Sequence, residues 1–181
     1  MAKKVVKKKV VKKKPLARRA ARRKVEAIPK AYGSLTPGLA IRGAAAAITF
    51  YVKAFGAKEL SRMPGPDGKI MHAELKIGDR ILFLGDEMPE MGSPSPQTLG
   101  GSPVAIMLYV KDVDAVFARA VAGGAKPLTP PADMFWGDRY GTVVDPFGHR
   151  WSLATHKADL TPGQMKKAMD EWMASQAAPK G

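Results

Sequence analysis

The stretch Phe50–Leu60, which reads FYVKAFGAKEL, decides the fold because part of it occurs twice. Its triplet Gly56-Ala57-Lys58 recurs 68 residues later as Gly124-Ala125-Lys126. In the first copy, Gly56 closes a predicted helix and Lys58 begins a predicted strand. A repeat with this period indicates that one structural unit has been duplicated within the chain.

Extending the pattern from each triplet gives the same β-α-β-β-β order in both copies. The first copy has a predicted helix at 43–55 and predicted strands at 34–42, 58–63, 71–77 and 80–84. The second copy has a predicted helix at 113–122 and predicted strands at 104–110, 127–130, 141–144 and 150–155. Turn sequences such as Gly78-Asp79 and Asp145-Pro146-Phe147-Gly148 separate the strands. We therefore predict an α+β protein built from two βαβββ modules.

Composition and these patterns divide the chain into five segments. They are a basic arm with its linker, the first module, an inter-module loop, the second module and a C-terminal helix with its tail, at residues 1–33, 34–85, 86–103, 104–156 and 157–181. We expect the inter-module loop to be functional or mobile because of its length. The capping box Thr161-Pro162-Gly163-Gln164 begins the last helix. We expect that helix to pack on the body through an apolar stripe of Met165, Met169, Trp172 and Met173.

The chain has a formal charge of +14, and almost all of it lies in the arm. Residues 1–30 hold 14 basic side chains and one acid, whereas residues 31–181 hold 16 basic and 15 acidic side chains. The arm from Lys3 to Lys24 has too little apolar surface to offset the entropy of ordering it, so we predict that it is disordered. Its composition resembles the lysine-rich tails of linker histones and of bacterial histone-like proteins.

We predict that the arm binds nucleic-acid phosphates without sequence preference, because lysine and arginine displace counterions from them. A solubilising tail and a tether to anionic membranes are the alternatives, although no apolar helix face accompanies the charge. The predicted contacts are Lys3, Lys4, Lys7, Lys8, Lys9, Lys12, Lys13, Lys14, Arg18, Arg19, Arg22, Arg23 and Lys24.

Composition also excludes several classes of protein. The chain contains no cysteine, so disulfides, thiolate nucleophiles and cysteine-bound zinc are excluded. Its longest weakly polar run, 43–52, is far shorter than the roughly 20 residues that span a bilayer. The basic start lacks the apolar core of a secretory signal. We expect a cytoplasmic protein that associates with the nucleoid through its arm.

Four stretches of the body carry a family resemblance. They are FYVKAFGA at 50–57, HAELKIGD at 72–79, WGDRYGTVVDPFGHRW at 136–151 and ATH at 154–156. With the duplicated order, they resemble the vicinal oxygen chelate superfamily and above all its PhnB-like branch, grouped with glyoxalase I, bleomycin-resistance proteins and dioxygenases. The resemblance covers residues 34–175. It implies a cup-shaped mixed sheet, a small-molecule ligand on its concave side and a homodimer.

Metal-dependent members of this superfamily hold a divalent cation with four side chains, two from each module. Matching the strands places those positions at Thr36, Phe83, Ala105 and Ser152. Two hydroxyls, a phenyl ring and a methyl group do not suit a hard divalent ion. We therefore predict that the cup binds its ligand without a metal or another cofactor.

His72 and Glu74 are the candidate catalytic pair. They share one face of the predicted strand 71–77, while the residues that alternate with them are apolar. If the polar face lines the cup, the pair can exchange protons with a ligand or hydrogen-bond to it. The alternative is an ordinary solvent-exposed face of an alternating strand.

Further residues are predicted to contact a ligand because they share the cup or offer stacking surfaces. They are Phe83, Met107, Tyr109, Trp136, Arg139, Tyr140, Arg150 and Ser152. The alternatives are a structural ion pair of Arg139 with Asp138 or Asp145, and a core position for Trp136. We interpret His149 and His156 as turn or capping residues, with His156 beyond the last strand.

These features predict a protein of the bleomycin-resistance type that binds a small planar or amphiphilic molecule in its cup. A lyase, isomerase or dioxygenase-type enzyme that uses His72 and Glu74 is the alternative. Nucleic-acid association through the arm is a third function, separate from the cup.

Overall fold

The computed structural model describes residues 25–177, so the arm predicted to be disordered, Lys3 to Lys24, lies outside the described residues. The first module consists of β1 (Gly38–Ile41), α1 (Ala44–Phe55), β2 (Lys58–Pro64), β3 (Ile70–Ile77) and β4 (Arg80–Asp86). After the short helix α2 (Pro96–Leu99), the second module has β5 (Ala105–Tyr109), α3 (Val113–Ala122), β6 (Lys126–Asp133), β7 (Asp138–Val144) and β8 (Arg150–His156). The predicted α+β duplication is confirmed.

Each module forms one four-stranded mixed sheet. The strand order is β1-β4-β3-β2 in the first sheet and β5-β8-β7-β6 in the second, so the two topologies are the same. In each sheet the first strand of the module runs parallel to the last, and the other neighbours are antiparallel. The parallel pairing sets Gly38 beside Phe83 and Met107 beside Ser152, which are equivalent places in the two sheets.

One hydrophobic core joins the modules. Helix α1 of the first module contacts helix α3 of the second. Trp151 of β8 is 1% exposed, and its ring centroid lies 4.6 Å from that of Phe55 and 5.4 Å from that of Tyr51. A tryptophan of the second module is therefore buried by the helix of the first.

The hairpin between β7 and β8 completes the same interface. The carboxylate of Asp145 is buried and accepts hydrogen bonds from the Tyr51 hydroxyl (2.7 Å) and the Trp151 Nε1 (2.9 Å), and from two backbone amides. His149 is also buried, and its Nε2 lies 3.2 Å from the carbonyl oxygen of Ala40 in β1. A buried carboxylate is costly unless it is hydrogen-bonded. These donors therefore allow Asp145 to connect the two modules.

One carboxylate organises the segment between the modules, which includes a 3-10 turn at Pro89–Met91 before α2. Glu87 accepts hydrogen bonds from the Thr98 hydroxyl (2.5 Å), Arg42 Nε (2.7 Å) and the Ser95 amide (2.9 Å). These three donors lower the pKa of Glu87 to about 2. The segment is therefore held to the first module by charge-assisted hydrogen bonds.

Every strand differs in length from its prediction, and the differences are largest, at three residues or more, in β1, β6 and β7. β1 is shorter than 34–42, because the chain turns before it and the Thr36 hydroxyl donates to the Tyr32 carbonyl oxygen. β6 is longer than 127–130, although it contains three prolines. It lies at the edge of its sheet, where the missing N–H of proline leaves no neighbour unpaired.

The C-terminal helix α4 (Pro162–Ala177) begins at the predicted capping box, in which Thr161 and Gln164 exchange hydrogen bonds. The prediction that its apolar stripe packs on the body is wrong. The stripe stays 37–58% exposed at Met165, Met169, Trp172 and Met173. Trp172 does reach Phe135, at a centroid distance of 5.6 Å. Within residues 25–177, no helix has the length and apolarity to cross a bilayer.

Candidate functional site

Each sheet has one face packed on the helices and one open face. On β3, Ala73 and Leu75 are completely buried, whereas His72 and Glu74 are partly exposed. The alternation predicted for this strand is present, and it places His72 and Glu74 on the open face. The side chains that could contact a ligand therefore lie on the two open faces.

The open face of the first sheet carries the side chains of Tyr32, His72, Glu74 and Phe83, here named the first-module cluster. The Tyr32 hydroxyl donates to Glu74 Oε1 at 3.0 Å, and His72 Nε2 lies 3.5 Å from the same oxygen. The ring centroids of Tyr32 and His72 lie 5.1 and 5.0 Å from that of Phe83, both edge-to-face. The hydrogen bond to Glu74 raises the pKa of Tyr32, which keeps the phenol protonated as the donor.

A cavity of about 370 Å³ lies beside this cluster. Its walls come from β1, β3, β4 and the segment after β4, and they include Met71, His72, Phe83, Asp86 and Met88. The Asp86 carboxylate accepts hydrogen bonds from three backbone amides, two of which lie at the start of α1. Phe83 and Asp86 lie three positions apart on β4 and so point to opposite faces of the sheet. The Phe83 ring therefore lies on the open face, and the Asp86 carboxylate is directed to the start of α1.

The open face of the second sheet carries a different arrangement, the second-module network of Tyr109, Asp138, His156 and Asp159. Asp138 is 4% exposed and accepts hydrogen bonds from the Tyr109 hydroxyl at 2.9 Å and from His156 Nδ1 at 2.7 Å. His156 Nε2 lies 3.0 Å from Asp159 Oδ1. A protonated imidazole can donate to both carboxylates, so these two contacts favour the cationic form of His156.

The pKa values of the two histidines of the second module are shifted in opposite directions. Hydrogen bonds to Asp138 and Asp159 raise the pKa of His156, whereas burial lowers the pKa of His149. The hydrogen bond to Asp138 also raises the pKa of Tyr109. Both nitrogens of His156 are engaged, so the network orients the Tyr109 phenol and holds the end of β8 to β7.

Most of the predicted ligand contacts of the second module lie on this open face. The Tyr140 and Ser152 hydroxyl oxygens are 2.8 Å apart, and the Trp136 ring meets Tyr140 edge-to-face at 5.6 Å. Met107, beside Ser152, is 48% exposed. The exposed Arg150 precedes Ser152 by two positions on β8 and so shares its face. A cavity of about 300 Å³ includes Met107, Tyr109 and residues of the first module such as Leu35 and Leu82.

Arg139 is directed away from this group. Its guanidinium binds both oxygens of Asp114 in α3, at 2.6 and 2.7 Å, and Asp133 at 3.3 Å. The partners suggested by the sequence, Asp138 and Asp145, are not the ones found. Successive residues of a strand point to opposite faces, so Arg139 lies opposite the side chains of its neighbours in β7.

Tyr32 and His156 are among the members of these polar groups that the sequence did not indicate. Tyr32 lies in a turn before the duplicated unit, where no periodicity points to it. The interpretation of His156 as a turn or capping residue beyond the last strand is wrong, because His156 is the final residue of β8. His156 follows Ser152 and Ala154 at intervals of two residues, and residues spaced in this way share one face of a strand. This spacing was the available signal that His156 lies on the open face.

Comparison with known proteins agrees with this geometry. A family model described as the Glyoxalase/Bleomycin resistance protein/Dioxygenase superfamily matches residues 35–153. The chain belongs to this superfamily. The uncharacterised protein Mb0911c of Mycobacterium bovis is 50% identical over 139 residues, which cover 75% of this chain and 91% of that protein. The uncharacterised protein At5g48480 of Arabidopsis thaliana is 32% identical over 123 residues, or 64% of this chain and 73% of that protein.

Solved structures show the same architecture. TioX from Micromonospora superposes with a TM-score of 0.54 and 29% identity, covering 71% of this chain and all of TioX. The Arabidopsis At5g48480 product superposes with a TM-score of 0.56 and 28% identity, covering 68% of this chain and 98% of that one. A PhnB protein from Bacillus cereus shares the fold with a TM-score of 0.54 at 18% identity, covering 67% of this chain and 98% of that one. The resemblance of the sequence is confirmed at the level of the superfamily.

The positions matched to the metal site of this superfamily do not suit a metal. The Thr36 hydroxyl donates to a backbone carbonyl, and the Ser152 hydroxyl pairs with Tyr140. Phe83 and Ala105 have no donor atom in their side chains. In the part of the chain that the structure describes, no three His, Asp or Glu side chains group to hold a metal ion. The donor chemistry at these positions therefore does not fit a divalent cation.

Proposed function

We propose that the protein binds a small planar or amphiphilic organic molecule on its open sheet faces without a metal, as a sequestering protein of the bleomycin-resistance type. The observation that carries this proposal is the exposure of large side chains there. Met107 and Tyr109 are 48% and 58% exposed. Exposed apolar side chains beside a few oriented polar groups are typical of a ligand site, and the Tyr140–Ser152 pair supplies such groups.

A screen for ligand-induced thermal stabilisation tests this proposal. A ligand at 100 times its Kd stabilises the folded state by about 2.7 kcal/mol. Met107→Glu should abolish the shift because it places a charge on the open face. Leu128→Glu is the matched control, since Leu128 is 44% exposed but lies on the edge strand β6. Stoichiometric zinc, nickel, manganese or iron in protein purified without chelator would contradict the metal-free form of the proposal.

The proposal includes a homodimer that closes the open faces. The cavity beside His72 and Phe83 is lined by the first module and the segment after β4. A second copy would cover the exposed apolar side chains and complete the wall of such a cavity. Light scattering coupled to size exclusion should give twice the mass of the chain, and a monomer at tens of micromolar would contradict the dimer.

Acid–base catalysis by His72 and Glu74, of the lyase, isomerase or dioxygenase type, is the second candidate. It is favoured by the 3.5 Å approach of the two side chains on an open face. In this function Glu74 would orient the imidazole, and His72 Nε2 or Nδ1 would move a proton to or from the ligand. For any turnover that is found, His72→Ala should reduce kcat at least about 100-fold, and an unchanged rate would remove this candidate.

Nucleic-acid association through the arm is a further proposal, and the charge division carries it. Thirteen cations lie between Lys3 and Lys24, while residues 31–181 are almost neutral. If about 8 of these cations contact duplex phosphates, log K should fall against log salt with a slope of about −7, a loss of about 10⁴ between 50 and 200 mM salt. Such binding would hold a cytoplasmic protein at the nucleoid.

Titration of duplex DNA into the full chain at two salt concentrations tests this association. The matched variant replaces the thirteen arm cations with glutamine and leaves the body unchanged. Binding should disappear in the variant, and its salt slope should approach zero. Equal affinity of the two proteins would show that the arm only solubilises the chain, and no binding of the full chain at 50 mM would end the proposal.

A further inference from the structure

We propose that the open face of the first module is a site for a hydroxyaryl ligand, and that the chain's own Tyr32 occupies this site until the ligand displaces it. The inference rests on the ligand-binding function proposed above, and it names both the class of ligand and the group that controls access. The ligand would take over the two contacts that Tyr32 makes, one with Glu74 and one with Phe83.

Tyr32 already makes the contacts expected of a bound phenol. Its hydroxyl donates to Glu74 Oε1 at 3.0 Å, and its ring meets that of Phe83 edge-to-face at a centroid distance of 5.1 Å. Glu74 and Phe83 lie directly opposite each other on β3 and β4, so one aromatic side chain reaches both. An ionised carboxylate only accepts hydrogen bonds, and edge-to-face contact is favoured between two aromatic rings. The face therefore suits an aryl group that carries a hydroxyl donor.

Tyr32 lies outside the sheet that it covers. On β1, the residue beside Phe83 is Gly38, which has no side chain. The equivalent position of the second module holds Met107, beside Ser152. The aromatic cover of Phe83 therefore comes from the segment before β1 and not from the neighbouring strand. A side chain from outside the sheet can leave without changing any strand pairing.

The segment that carries Tyr32 is held to the sheet by few contacts. It is the turn 29–33, here named the Tyr32 turn, which is closed by a hydrogen bond of 3.1 Å from the Tyr32 amide to the Pro29 carbonyl oxygen. Within the described part of the chain, the hydrogen bond that joins residues 25–33 to a strand is the one from Tyr32 to Glu74. A ligand that replaces this hydrogen bond and the aromatic contact can therefore displace the turn.

The neighbouring cavity leaves room for a ligand larger than a phenol. The cavity of about 370 Å³ is bordered by His72 and Phe83, whose rings meet edge-to-face at 5.0 Å. His72 Nε2 also lies 3.5 Å from the oxygen of Glu74 that accepts from Tyr32. A substituent on the aryl ring would therefore have space beside the hydroxyl site, next to a second polar group.

Removing the tyrosine side chain tests the proposal on the full chain. Tyr32→Ala should bind p-cresol, the side-chain analogue of tyrosine, at least about 10-fold more tightly than the wild-type chain, because the ligand no longer competes with an internal group. Titrations followed by backbone amide NMR shifts give both affinities. Ile28→Ala is the matched control and should leave the affinity unchanged, since Ile28 lies in the same linker and is 57% exposed.

The wild-type chain distinguishes a displaceable side chain from a fixed one. Higher concentrations of p-cresol should produce the same shifts at Glu74 and Phe83 as in Tyr32→Ala. The amides of Tyr32 and Gly33 should shift together with them, because the Tyr32 turn leaves the face when the ligand binds.

A second comparison tests the class of ligand. 4-Methylanisole has the same ring as p-cresol but no hydrogen to donate, so Tyr32→Ala should bind p-cresol at least about 10-fold more tightly. Adding Glu74→Leu should remove this preference. Adding Glu59→Leu should keep it, since Glu59 lies on β2 and pairs with Arg62. Because the measured quantity is the ratio of two affinities in one folded protein, a general loss of stability cancels.

The outcomes separate this inference from the function on which it rests. Shifts on the first open face in Tyr32→Ala but not in the wild-type chain would show that Tyr32 is a fixed structural residue, and would overturn the proposal. Equal affinities of these two proteins, no binding by either, or shifts centred on the second module would overturn it as well. Small-molecule binding would survive each of these results if the thermal screen gave a ligand, and a screen without any ligand would remove the proposed function itself.

Discussion

The two modules share one backbone plan but carry different chemistry on their open faces. β3 and β7 begin 68 residues apart, so His72 corresponds to Tyr140 and Glu74 to Thr142. The carboxylate of the first module, Glu74, lies in the middle of its strand with 20% of its side chain exposed. The carboxylate of the second module, Asp138, lies at the start of its strand with 5% exposed.

This difference shows that the duplicated backbone determines which positions face outward, whereas the residue type at each position differs between the modules. Glu74 stays partly exposed between a phenol and an imidazole. Asp138 is enclosed by Tyr109 and His156, so it mainly positions those partners. Removing a buried acceptor costs more than removing an open one, because its donors lose their partner away from water.

The hairpins of the two modules also differ in how deeply their carboxylates are buried. The first module turns at Gly78-Asp79, and the Asp79 side chain is 86% exposed. The second module turns through Asp145-Pro146-Phe147-Gly148-His149 and buries Asp145 against α1 of the first module. The longer hairpin therefore connects the modules, whereas the shorter one serves its own sheet.

The largest expected effect comes from a substitution that breaks the connection between the modules at Asp145. Asp145→Ala leaves the Tyr51 hydroxyl, the Trp151 indole and two amides without their acceptor. We expect it to lower the free energy of unfolding by about 3–5 kcal/mol, measured by urea denaturation. Asp79→Ala is the matched control and should change it by less than about 0.5 kcal/mol. Similar losses in both variants would contradict the different roles of the hairpins.

A smaller effect separates the two carboxylates of the open faces. Asp138→Ala should cost about 1–3 kcal/mol, because a buried acceptor with two donors is lost. Glu74→Ala should cost less than about 1 kcal/mol, since water can reach the donors that remain. The same urea titrations report both values. A larger loss for Glu74→Ala would show that the first-module cluster is the structural one.

The smallest expected effect concerns pH. The pKa of folded His156 is raised, so its stabilisation is complete below the unfolded value of about 6.5 and is lost as pH rises through the folded value. The pKa of folded His149 is lowered, so stability is lost as pH falls below about 6.5. Unfolding free energies between pH 5 and 9 should fall on both sides of a maximum.

Two variants separate the acid and alkaline sides of this dependence of the unfolding free energy on pH. His156→Gln should flatten the alkaline side and leave the acid side unchanged. His149→Gln should flatten the acid side, although it also changes the contact with Ala40. If either variant flattened the side assigned to the other histidine, the opposite environments described for them would be wrong.

The sequence sufficed for the order of elements and for which side of β3 is polar. Helix α3 occupies the predicted residues 113–122, because turn residues and a cap at Asp112 mark both of its ends. Tyr32 could not be predicted, since its contact with Glu74 joins residues 42 positions apart through a turn without periodicity. The exposure of α4 could not be predicted either, because an apolar stripe indicates the side that is apolar and not the presence of a surface to cover it.

The exposed stripe of α4 has a consequence for how the molecule fluctuates. A helix of 16 residues is marginally stable alone, and Trp172 on Phe135 is the aromatic contact that α4 makes with the second module. Its amides should therefore exchange with solvent through local opening, at a free-energy cost well below that of global unfolding. The amides of β3 and β8, paired on both sides within their sheets, should exchange most slowly, so the chain would unfold from its C-terminal end inward.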